Sequence, residues 1–474
     1  MKPFAGSLSD ISTRILNDTP ANQSAFCLSL SSKQALQWRL MLIDLAQDSI
    51  DLQYFIWHND LSGRLLFYRL LMAADRGVKI RLLVDDLPLS PDTDRGVAFA
   101  AHHRNISIKI FNPTRSRVGW RRLVEYITRA GELNHRMHNK LLIADEYAAI
   151  VGGRNIGDEY FGLSGNMNFV DLDGIALGPA AKLAKNSFKA YWESEWAVDV
   201  KLLLELEQRH VHEMIGDIRS SLDAEKQKLE HFSVAPIGWQ EQLETMRRRV
   251  VPGRAKAIQD DPSELSIKNM SVAGKAINQI AQHAQNELLI TSPYFIPDHK
   301  MLENFRILLK RGVKIKILTN SIMTINHISA HSGYIKFRKR VLSLGIELHE
   351  LHHQAQLRQF YDTPPVHSDI LGLHAKMVVI DRKEVFVGSL NFDPRAIYLN
   401  SENGFIIDSP QLADQAAALF EQFIRPENSW RLTLQKDRVH WSSELGEFNR
   451  EPMRDLKQKV QLMLLYSLPI EKQL

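Results

Sequence analysis

The order of apolar and polar residues is nearly the same in two parts of the chain. In the first part an apolar strand (SIDLQYFIW) precedes a helix with apolar residues three to four apart (GRLLFYRLLMAADRG), and a second apolar strand follows (VKIRLLVDD). The second part reads ELLITSPYFI, HKMLENFRILLKRG and VKIKILTNS. Both predicted helices end at a glycine, which is a frequent helix C-cap. Strands that alternate with helices predict an α/β fold with a mixed, mostly parallel sheet.

These two parts are copies of one unit. The sequence RGVKI begins at Arg76 and again at Arg311, 235 residues later, and the histidines of two later octets, His138 and His374, are 236 residues apart. Each copy continues with another strand (ISIKIFNP or IELHEL) before the octet, and with a strand and a helix after it (PAAKLAKNSFKAYWESEW or PQLADQAAALFEQFI). Two independent anchors with almost equal offsets indicate a duplication.

The duplication divides the chain into five predicted segments. We expect an N-terminal segment, a first α/β domain, a charged helical connector, a second α/β domain and a C-terminal tail. Their predicted bounds are 1–30, 31–200, 201–262, 263–430 and 431–474.

Composition narrows the class of protein. Of 474 residues, 44% are hydrophobic and 24% charged, and the net charge is +4, which is weak support for binding nucleic acid. The single cysteine, Cys27, excludes an internal disulfide framework and a four-cysteine zinc site, and favours the reducing cytoplasm. Because there is no long apolar run and no secretory signal pattern, we expect any membrane contact to be peripheral.

The octets carry the candidate chemistry. HNKLLIAD runs from His138 to Asp145, HAKMVVID runs from His374 to Asp381, and GGRN or GSLN follows each at the same distance. In an extended strand the residues i and i+2 project from one face, so each histidine should project with the lysine two positions later. These lysines are Lys140 and Lys376.

The rest of each motif predicts a hairpin. Asp145 and Asp381 fall where the octet strand should turn back, a position typical of a turn former. The returning strand carries Asn155 or Asn391, each 17 residues after the histidine of its copy. We therefore expect each asparagine to return beside its own histidine.

A lone histidine on a strand is usually a packed structural residue. Two intact octets at matched places in a duplicated unit instead favour one shared site of two histidines, two lysines and two asparagines. Such a site suits displacement at a phosphodiester: one neutral imidazole attacks phosphorus, and the other, protonated, donates to the leaving alkoxide. Lysines and asparagines would hold the non-bridging oxygens, so we expect no metal and no cofactor.

The motif H-x-K-x4-D-x6-G-[GS]-x-N, present twice, resembles that of the phospholipase D superfamily over roughly residues 35–430. The stretches DLQYFIW, AADRGVKIRLLVDD and GSLNFDPRAIYLNSENG are most similar to bacterial cardiolipin synthases, and the final LPIEKQL resembles their C branch. The resemblance implies two tandem phospholipase D-like α/β repeats packed with pseudo-twofold symmetry around one active site.

The resemblance also implies residue roles. His138 and His374 would be the nucleophile and acid pair; we favour His138 as nucleophile, and symmetry leaves the reverse assignment open. A carboxylate downstream of each motif would orient its histidine: Glu402 in LNSENG and, in NFVDLDG, Asp171 in preference to Asp173.

Two further features follow from the same resemblance. The motif aspartates Asp145 and Asp381 would be structural. Ser389 stands where the first copy has Gly153, so a hydroxyl contact to phosphate or histidine would be missing on that side.

For function, the resemblance implies transfer of a phosphatidyl group from phosphatidylglycerol or phosphatidylethanolamine to phosphatidylglycerol. A phospholipase D-type hydrolase or a nucleic-acid phosphodiesterase remains the alternative, and the intact octets disfavour a non-catalytic lipid-binding module. We expect a peripheral protein on the cytoplasmic face of the bacterial inner membrane, with no nucleic-acid partner; the need for a helper protein stays open.

Two segments could meet lipid. Within FNPTRSRVGWRRLVEYI, Trp120 accompanies four arginines that would contact anionic headgroups, although a solvated basic helix fits the same residues. The arginines are Arg115, Arg117, Arg121 and Arg122. The second segment, QLMLLYSL near the C-terminus, could touch lipid, but we expect it to pack in the core.

Overall fold

The fold is known from a computed structural model, which describes residues 8–86, 100–116, 120, 124–125, 128–204, 211–235, 237–264, 270–454 and 456–466. The strands are β1 Ser24–Ser29, β2 Ser49–Tyr54, β3 Lys79–Asp85, β4 Ile106–Phe111, β5 Leu141–Ala144, β6 Ala148–Gly152, β7 Met167–Val170, β8 Asp173–Leu177, β9 Ala197–Asp199, β10 Val251–Gln259, β11 Glu287–Thr291, β12 Lys314–Asn320, β13 Glu347–Leu351, β14 Ile370–Leu373, β15 Met377–Ile380, β16 Glu384–Gly388, β17 Asn403–Asp408, β18 Ser429–Gln435, β19 Arg438–Ser443 and β20 Gly446–Phe448. The α-helices are α1 Leu8–Leu16, α2 Ser32–Leu45, α3 Leu61–Asp75, α4 Ala130–Leu133, α5 Pro179–Trp192, α6 Val211–Ala224, α7 Gln240–Arg249, α8 Val272–Gln282, α9 His299–Lys310, α10 Ile328–Ser343, α11 Arg358–Tyr361, α12 Pro394–Tyr398, α13 Pro410–Phe423 and α14 Leu456–Tyr466. Short 3-10 turns lie at Asp158–Tyr160, Val200–Leu202 and Pro262–Glu264.

One continuous sheet joins the two halves of the molecule. Its spatial order is β9-β4-β3-β2-β5-β6-β8-β1-β10-β17-β16-β15-β11-β12-β13-β18-β19-β20. At the centre β1 pairs antiparallel with β10, from Ser24 opposite Gly253 to Phe26 opposite Val251. Read outward from this pair, the eight strands from β1 to the edge strand β9 correspond one to one with the eight from β10 to β18, and β19 and β20 extend the second half. This correspondence confirms the predicted pair of α/β repeats related by a pseudo-twofold axis.

The expected mostly parallel sheet is wrong in one respect, because antiparallel pairs predominate among the described strands. Parallel pairing joins β2, β3 and β4, and likewise β11, β12 and β13. The octets instead form hairpins, β5 with β6 and β15 with β16, and β8 and β17 return antiparallel beside them. A hairpin needs only a tight turn, whereas parallel strands need a long crossover, so short motif strands pair antiparallel.

The segment predicted as a helical connector is helical only in part. Helices α6 and α7 lie within it, but Val251–Gln259 is strand β10, which pairs with β1 and with β17. Pro252 and several basic residues obscure this strand in the sequence. Proline cannot donate a backbone N–H hydrogen bond to a neighbouring strand. It is tolerated at this second position, near the start of the strand, because few such bonds are needed there.

Three hydrophobic clusters place the helices against the sheet. Helices α2 and α3 cover the outer face of the first half, and α8, α9 and α10 cover the outer face of the second. Between the half-sheets lie α5 and α13, whose Phe188, Tyr191, Phe420 and Phe423 belong to a core shared by both repeats. Because α5 contacts β10 and α13 contacts β1, each half completes the core of the other.

The predicted turns at the octets are confirmed. Asp145 and Asp381 both have a φ of 51°, and the residue after each is also left-handed, as in the primed turns that suit hairpins. The Asp145 carboxylate accepts three backbone N–H bonds of 2.8 Å at the start of β2, from residues 47–49. Asp381 does the same at the start of β11, with residues 285–287. These aspartates therefore tie each octet hairpin to its neighbouring strand.

Replacing this acceptor should destabilise the fold. We expect Asp145→Ala to cost about 2–4 kcal/mol of unfolding free energy, because three N–H groups lose a charged acceptor and alanine disfavours a positive φ. Asp145→Asn should cost clearly less, since asparagine keeps one acceptor oxygen and tolerates this backbone. Urea unfolding followed by circular dichroism measures both, and equal losses would contradict the structural role.

Candidate active site

Each catalytic-motif histidine is held by the opposite half of the molecule. Met137 forms a parallel bridge with Ser401, and the next residue, His138, donates its backbone N–H to the Ser401 carbonyl at 2.9 Å. In the symmetric place β14 pairs parallel with β7, and His374 donates its backbone N–H to Val170 at 2.8 Å. The two histidine segments therefore meet where the halves exchange short strands.

The carboxylates follow the same exchange. Glu402 comes directly after Ser401, and both its carboxyl oxygens lie 3.0 Å from His138 Nδ1. Asp171 comes directly after Val170, and its Oδ2 lies 2.6 Å from His374 Nδ1. The expectation that each carboxylate orients the histidine of its own copy is therefore wrong: the pairs are crossed because the segment after each motif crosses the pseudo-twofold axis. Contact at Nδ1 leaves Nε2 available for chemistry.

The choice between the two aspartates of NFVDLDG is settled by distance. Asp173 Oδ2 lies 2.9 Å from Arg39 and 3.1 Å from Arg154, in a buried ion-pair cluster. Arg154 also donates to the Asp171 carbonyl at 2.7 Å. Asp173 thus braces the strand that presents Asp171, and Asp171 is the carboxylate at the histidine.

Both motif lysines are buried beside the histidines. Lys140 and Lys376 are each 1% exposed, and each Nζ donates to the carbonyl of the histidine two positions earlier. Burial lowers the pKa of Lys140 well below its ordinary value, although Glu402 opposes this. Burial likewise lowers the pKa of Lys376 to about 8, against the opposing effect of Asp171. The charged forms of these two lysine side chains, in a site without water, would be stabilised by a bound anion.

The histidines are affected by the same charges. Burial lowers the pKa of His138 well below 6.5, and Lys140, Lys376 and His374 lower it further. Burial and then Lys376 lower the pKa of His374 to about 4, whereas Asp171 acts to raise it. Since residues of both octets influence each histidine, the motifs form one electrostatic cluster. A phosphodiester anion bound there would raise these pKa values again.

The pKa values of the two carboxylates are shifted in opposite directions. Burial would raise the pKa of Asp171, but His374, Lys376 and Arg154 outweigh it and bring the pKa to about 2. Burial raises the pKa of Glu402 well above 4.5, and neither Lys140 nor the Ser389 hydroxyl offsets this. The symmetric fold therefore holds an asymmetric site.

The serine and glycine of the GGRN and GSLN sequels act on these carboxylates. The Ser389 hydroxyl donates to Glu402 and accepts from the Asn403 N–H at 2.9 Å. At Gly153 an added Cβ would lie 2.2 Å from Asp171 Oδ1, so Asp171 occupies the space of the missing side chain. The difference between the copies therefore tunes the carboxylates, where the sequence predicted a contact to phosphate or histidine.

The asparagines also differ between the copies. Asn155 Oδ1 accepts from the Ile56 N–H at 3.2 Å, and its Nδ2 donates to the Tyr160 hydroxyl at 2.9 Å. Asn391 is 5% exposed, and within the described part of the chain its Oδ1 has no hydrogen-bond partner.

Three aromatic rings pack against the histidines, and no sequence pattern singled them out. The Phe55 ring centroid lies 5.1 Å from that of His138. The His374 ring contacts Tyr160, at 5.2 Å, and Phe169, at 5.0 Å, and these two rings also contact each other. Phe55 lies in DLQYFIW and Phe169 in NFVDLDG, so the aromatic content of these stretches was the available signal, whereas Tyr160 lies in no motif. These rings help to keep water from the imidazoles.

The site contains two histidine–carboxylate pairs exchanged between the halves and two buried lysines on duplicated hairpins. These features define a class of proteins in which two repeats form one site that acts on phosphodiesters. A family model described as "Cardiolipin synthase, PLD-like domain" matches residues 40–192 and 277–424. The chain belongs to this family, within the phospholipase D superfamily.

Individual relatives agree with this assignment. The chain is 33% identical to cardiolipin synthase C of Escherichia coli K12 over 93% of the chain and 94% of the relative. It is 26% identical to a cardiolipin synthase of Clostridium perfringens SM101 over 86% of the chain and 71% of the relative. The crystal structure of a phosphatidylserine synthase from Haemophilus influenzae Rd KW20 has the same fold, with a TM-score of 0.58, 15% identity, and coverage of 89% of this chain and 91% of that one.

The opposite pKa shifts of the two carboxylates can be tested. We expect Asp171→Asn to lower kcat about 100-fold or more, because His374 loses the carboxylate at its Nδ1. Glu402→Gln should lower kcat less than about 10-fold, because the raised pKa of Glu402 favours its neutral form and an amide is also neutral. Steady-state kinetics on both variants, with circular dichroism to verify folding, makes the comparison; equal losses would contradict a difference between the two carboxylates.

Proposed function

We propose that the chain is a phosphatidyltransferase that makes cardiolipin, with phosphatidylglycerol as acceptor and phosphatidylglycerol or phosphatidylethanolamine as donor. The observation that carries this proposal is the crossed pairing of His138 with Glu402 and of His374 with Asp171. It presents two imidazoles to one cluster with two buried lysines. The resemblance to cardiolipin synthases over nearly the whole chain supports the substrate class.

In the first step His138 attacks phosphorus. The neutral imidazole, whose pKa is held low, forms the N–P bond while the bond to the leaving oxygen breaks. His374 gives its proton to that oxygen. Asp171 favours this role because its lowered pKa favours a carboxylate beside the His374 imidazolium, whereas the raised pKa of Glu402 favours the neutral acid beside His138. The leaving alcohol is glycerol or ethanolamine.

In the second step the acceptor hydroxyl gives its proton to His374 and attacks phosphorus, which breaks the N–P bond and restores neutral His138. Lys140 and Lys376, with Asn155 and Asn391, hold the non-bridging oxygens while charge accumulates. The aromatic rings around the histidines slow hydrolysis by keeping water away from the phosphohistidine.

Incubating the purified protein with labelled phosphatidylglycerol, with and without phosphatidylethanolamine, tests the reaction. We expect labelled cardiolipin to form and expect His138→Ala and His374→Ala each to abolish it, because each removes one chemical role. Protein quenched with detergent at alkaline pH, where the N–P bond of phosphohistidine is stable, should carry label on the peptide that contains His138. Release of phosphatidic acid alone would indicate a hydrolase, and label on His374 would reverse the assignment of nucleophile and acid.

Contact with the membrane is a second part of the proposal. No helix in the described residues is long and apolar enough to span a bilayer. Helix α14 exposes apolar side chains on one stripe: Val460 is 49%, Met463 64% and Tyr466 49% exposed. Its opposite side buries Leu462 against Ile322 and Met323. The expectation that this segment packs in the core therefore holds for one side only.

The position of α14 suits docking of the site on lipid. It packs on the loop after β12, where Gln458 donates to the Ile322 carbonyl at 2.7 Å. Asn320, at the end of β12, exchanges two hydrogen bonds with Leu373, the residue before His374. We propose that this stripe sits on the cytoplasmic face of the inner membrane.

The basic segment before the first octet is described only in part by the structure. Arg117, Arg121 and Arg122 lie outside the described residues. Trp120 is 71% exposed and Arg115 is exposed, both in the segment after β4. Their contact with headgroups remains a prediction.

Vesicle sedimentation tests α14. We expect the double variant Val460→Ser/Met463→Ser to weaken binding to anionic phosphatidylglycerol vesicles about 10-fold, because two apolar side chains no longer enter the interface. Gln461→Ser on the same helix, which replaces an exposed polar residue, is the control. Unchanged binding by the double variant would remove α14 from the membrane contact.

A further inference from the structure

A groove on the second half of the molecule lies beside the catalytic cluster. It runs between α8 and α9, with Ile290 of β11 and Val378 of β15 as its floor. Its empty space amounts to about 670 Å³, which includes open solvent. Most of its lining is apolar, with Phe305, Leu308 and Phe392 among the walls.

One end of the groove is lined by a residue of the second motif. Asn391, the last residue of GSLN, lines this end, and its buried Oδ1 is the one described above as lacking a partner within the described residues. Ala281 lines the other end, near the C-terminus of α8. Since α8 has 11 residues, the groove can follow it for about 16 Å.

Because the chain is duplicated, the groove can be compared with the corresponding place in the first half. The sequences LAQDS and HAQNE, which lead into β2 and β11, align Ala46 with Ala284 and fix the equivalence of α2 with α8. Five residues of α8 line the groove, and three of them are matched on α2 by a larger apolar residue that is 0% exposed. The pairs are Gly274 with Leu36, Asn278 with Leu40, and Ala281 with Ile43.

Other positions follow the same trend. Ala276 of α8 corresponds to Trp38, and Ile277 corresponds to Arg39, which is buried in the ion-pair cluster with Asp173. Leu390, also in the groove lining, corresponds to Arg154 of that cluster. At these positions the first half carries larger side chains than the second half. The same fold thus fills this space in one copy and leaves it more open in the other.

We propose that this groove binds one fatty acyl chain of the phospholipid whose phosphate occupies the catalytic cluster. The inference rests on the proposed function, and it names the feature that recognises the lipid tail. An apolar cavity is poorly hydrated and gains free energy from an apolar chain. The open Oδ1 of Asn391 accepts from a hydroxyl at the polar end of the same lipid.

The test fills the groove with the residues that the first half already uses. The variant Asn278→Leu/Ala281→Ile installs the side chains of Leu40 and Ile43. It leaves the Asn304 amide, which donates to Asn278 at 2.6 Å, half-buried and able to bond water. Gln279→Leu, on the exposed side of α8, is the matched control.

Transfer is measured with dipalmitoyl and with dihexanoyl phosphatidylglycerol in the same detergent. We expect the ratio of kcat/KM for the long-chain over the short-chain lipid to fall about 10-fold or more in the filled variant and to stay unchanged in Gln279→Leu. A short chain does not reach Ala281, so filling that end penalises it less. An unchanged ratio in the filled variant would overturn the proposal.

Direct binding separates this proposal from the transfer reaction. Fluorescence of cis-parinaric acid should show saturable binding to the wild-type chain, and binding should weaken about 10-fold or more in the filled variant but not in the control. Equal binding by all three proteins would overturn the acyl groove even if cardiolipin forms. Weakened binding in the filled variant, together with a wild type that makes no cardiolipin, would keep the groove and reject the reaction.

Discussion

The crossed contact between each histidine and a carboxylate of the opposite half is the constraint on which the site depends. His138 and Glu402 are 264 residues apart, and His374 and Asp171 are 203 apart, so neither half can orient its own imidazole. The same crossing places the backbone of Ser401 and Val170 against the histidine segments. A single repeat would therefore contain the motif without a working site, which explains why the halves share a core through α5 and α13 and a sheet through β1 and β10.

The local part of this arrangement could be predicted from the sequence, and the long-range part could not. The octet hairpins, the left-handed turns at Asp145 and Asp381, and the outer helices follow from periodicity and turn chemistry within a few residues. Strand β10 was not predicted because its basic residues and Pro252 resemble a linker, and because its partner strands lie far away in sequence. The crossed pairing of carboxylates and histidines was not predicted for the same reason, because spacing within one copy carries no information about contacts between copies.

Burial and charge together make the surroundings of the two histidines different within a symmetric fold. Both imidazoles lie among two buried lysines, which by itself would make them equivalent. A Cβ at Gly153 would collide with Asp171, whose pKa is lowered by His374, Lys376 and Arg154, whereas Ser389 bonds Glu402, whose pKa is raised by burial. The opposite directions of these shifts support the proposed assignment of His374 as acid and His138 as nucleophile.

The same reasoning extends from the site to the helices behind it. After duplication, the two halves need identical packing only where they exchange strands and carboxylates; elsewhere each is free to change. In the first half Arg39 and Arg154 are buried around Asp173, and this arrangement braces the strand that carries Asp171. The second half has Ile277 and Leu390 at the same places, and both line the groove. The half whose strand is not braced by this arginine pair is therefore the half in which we propose an apolar ligand.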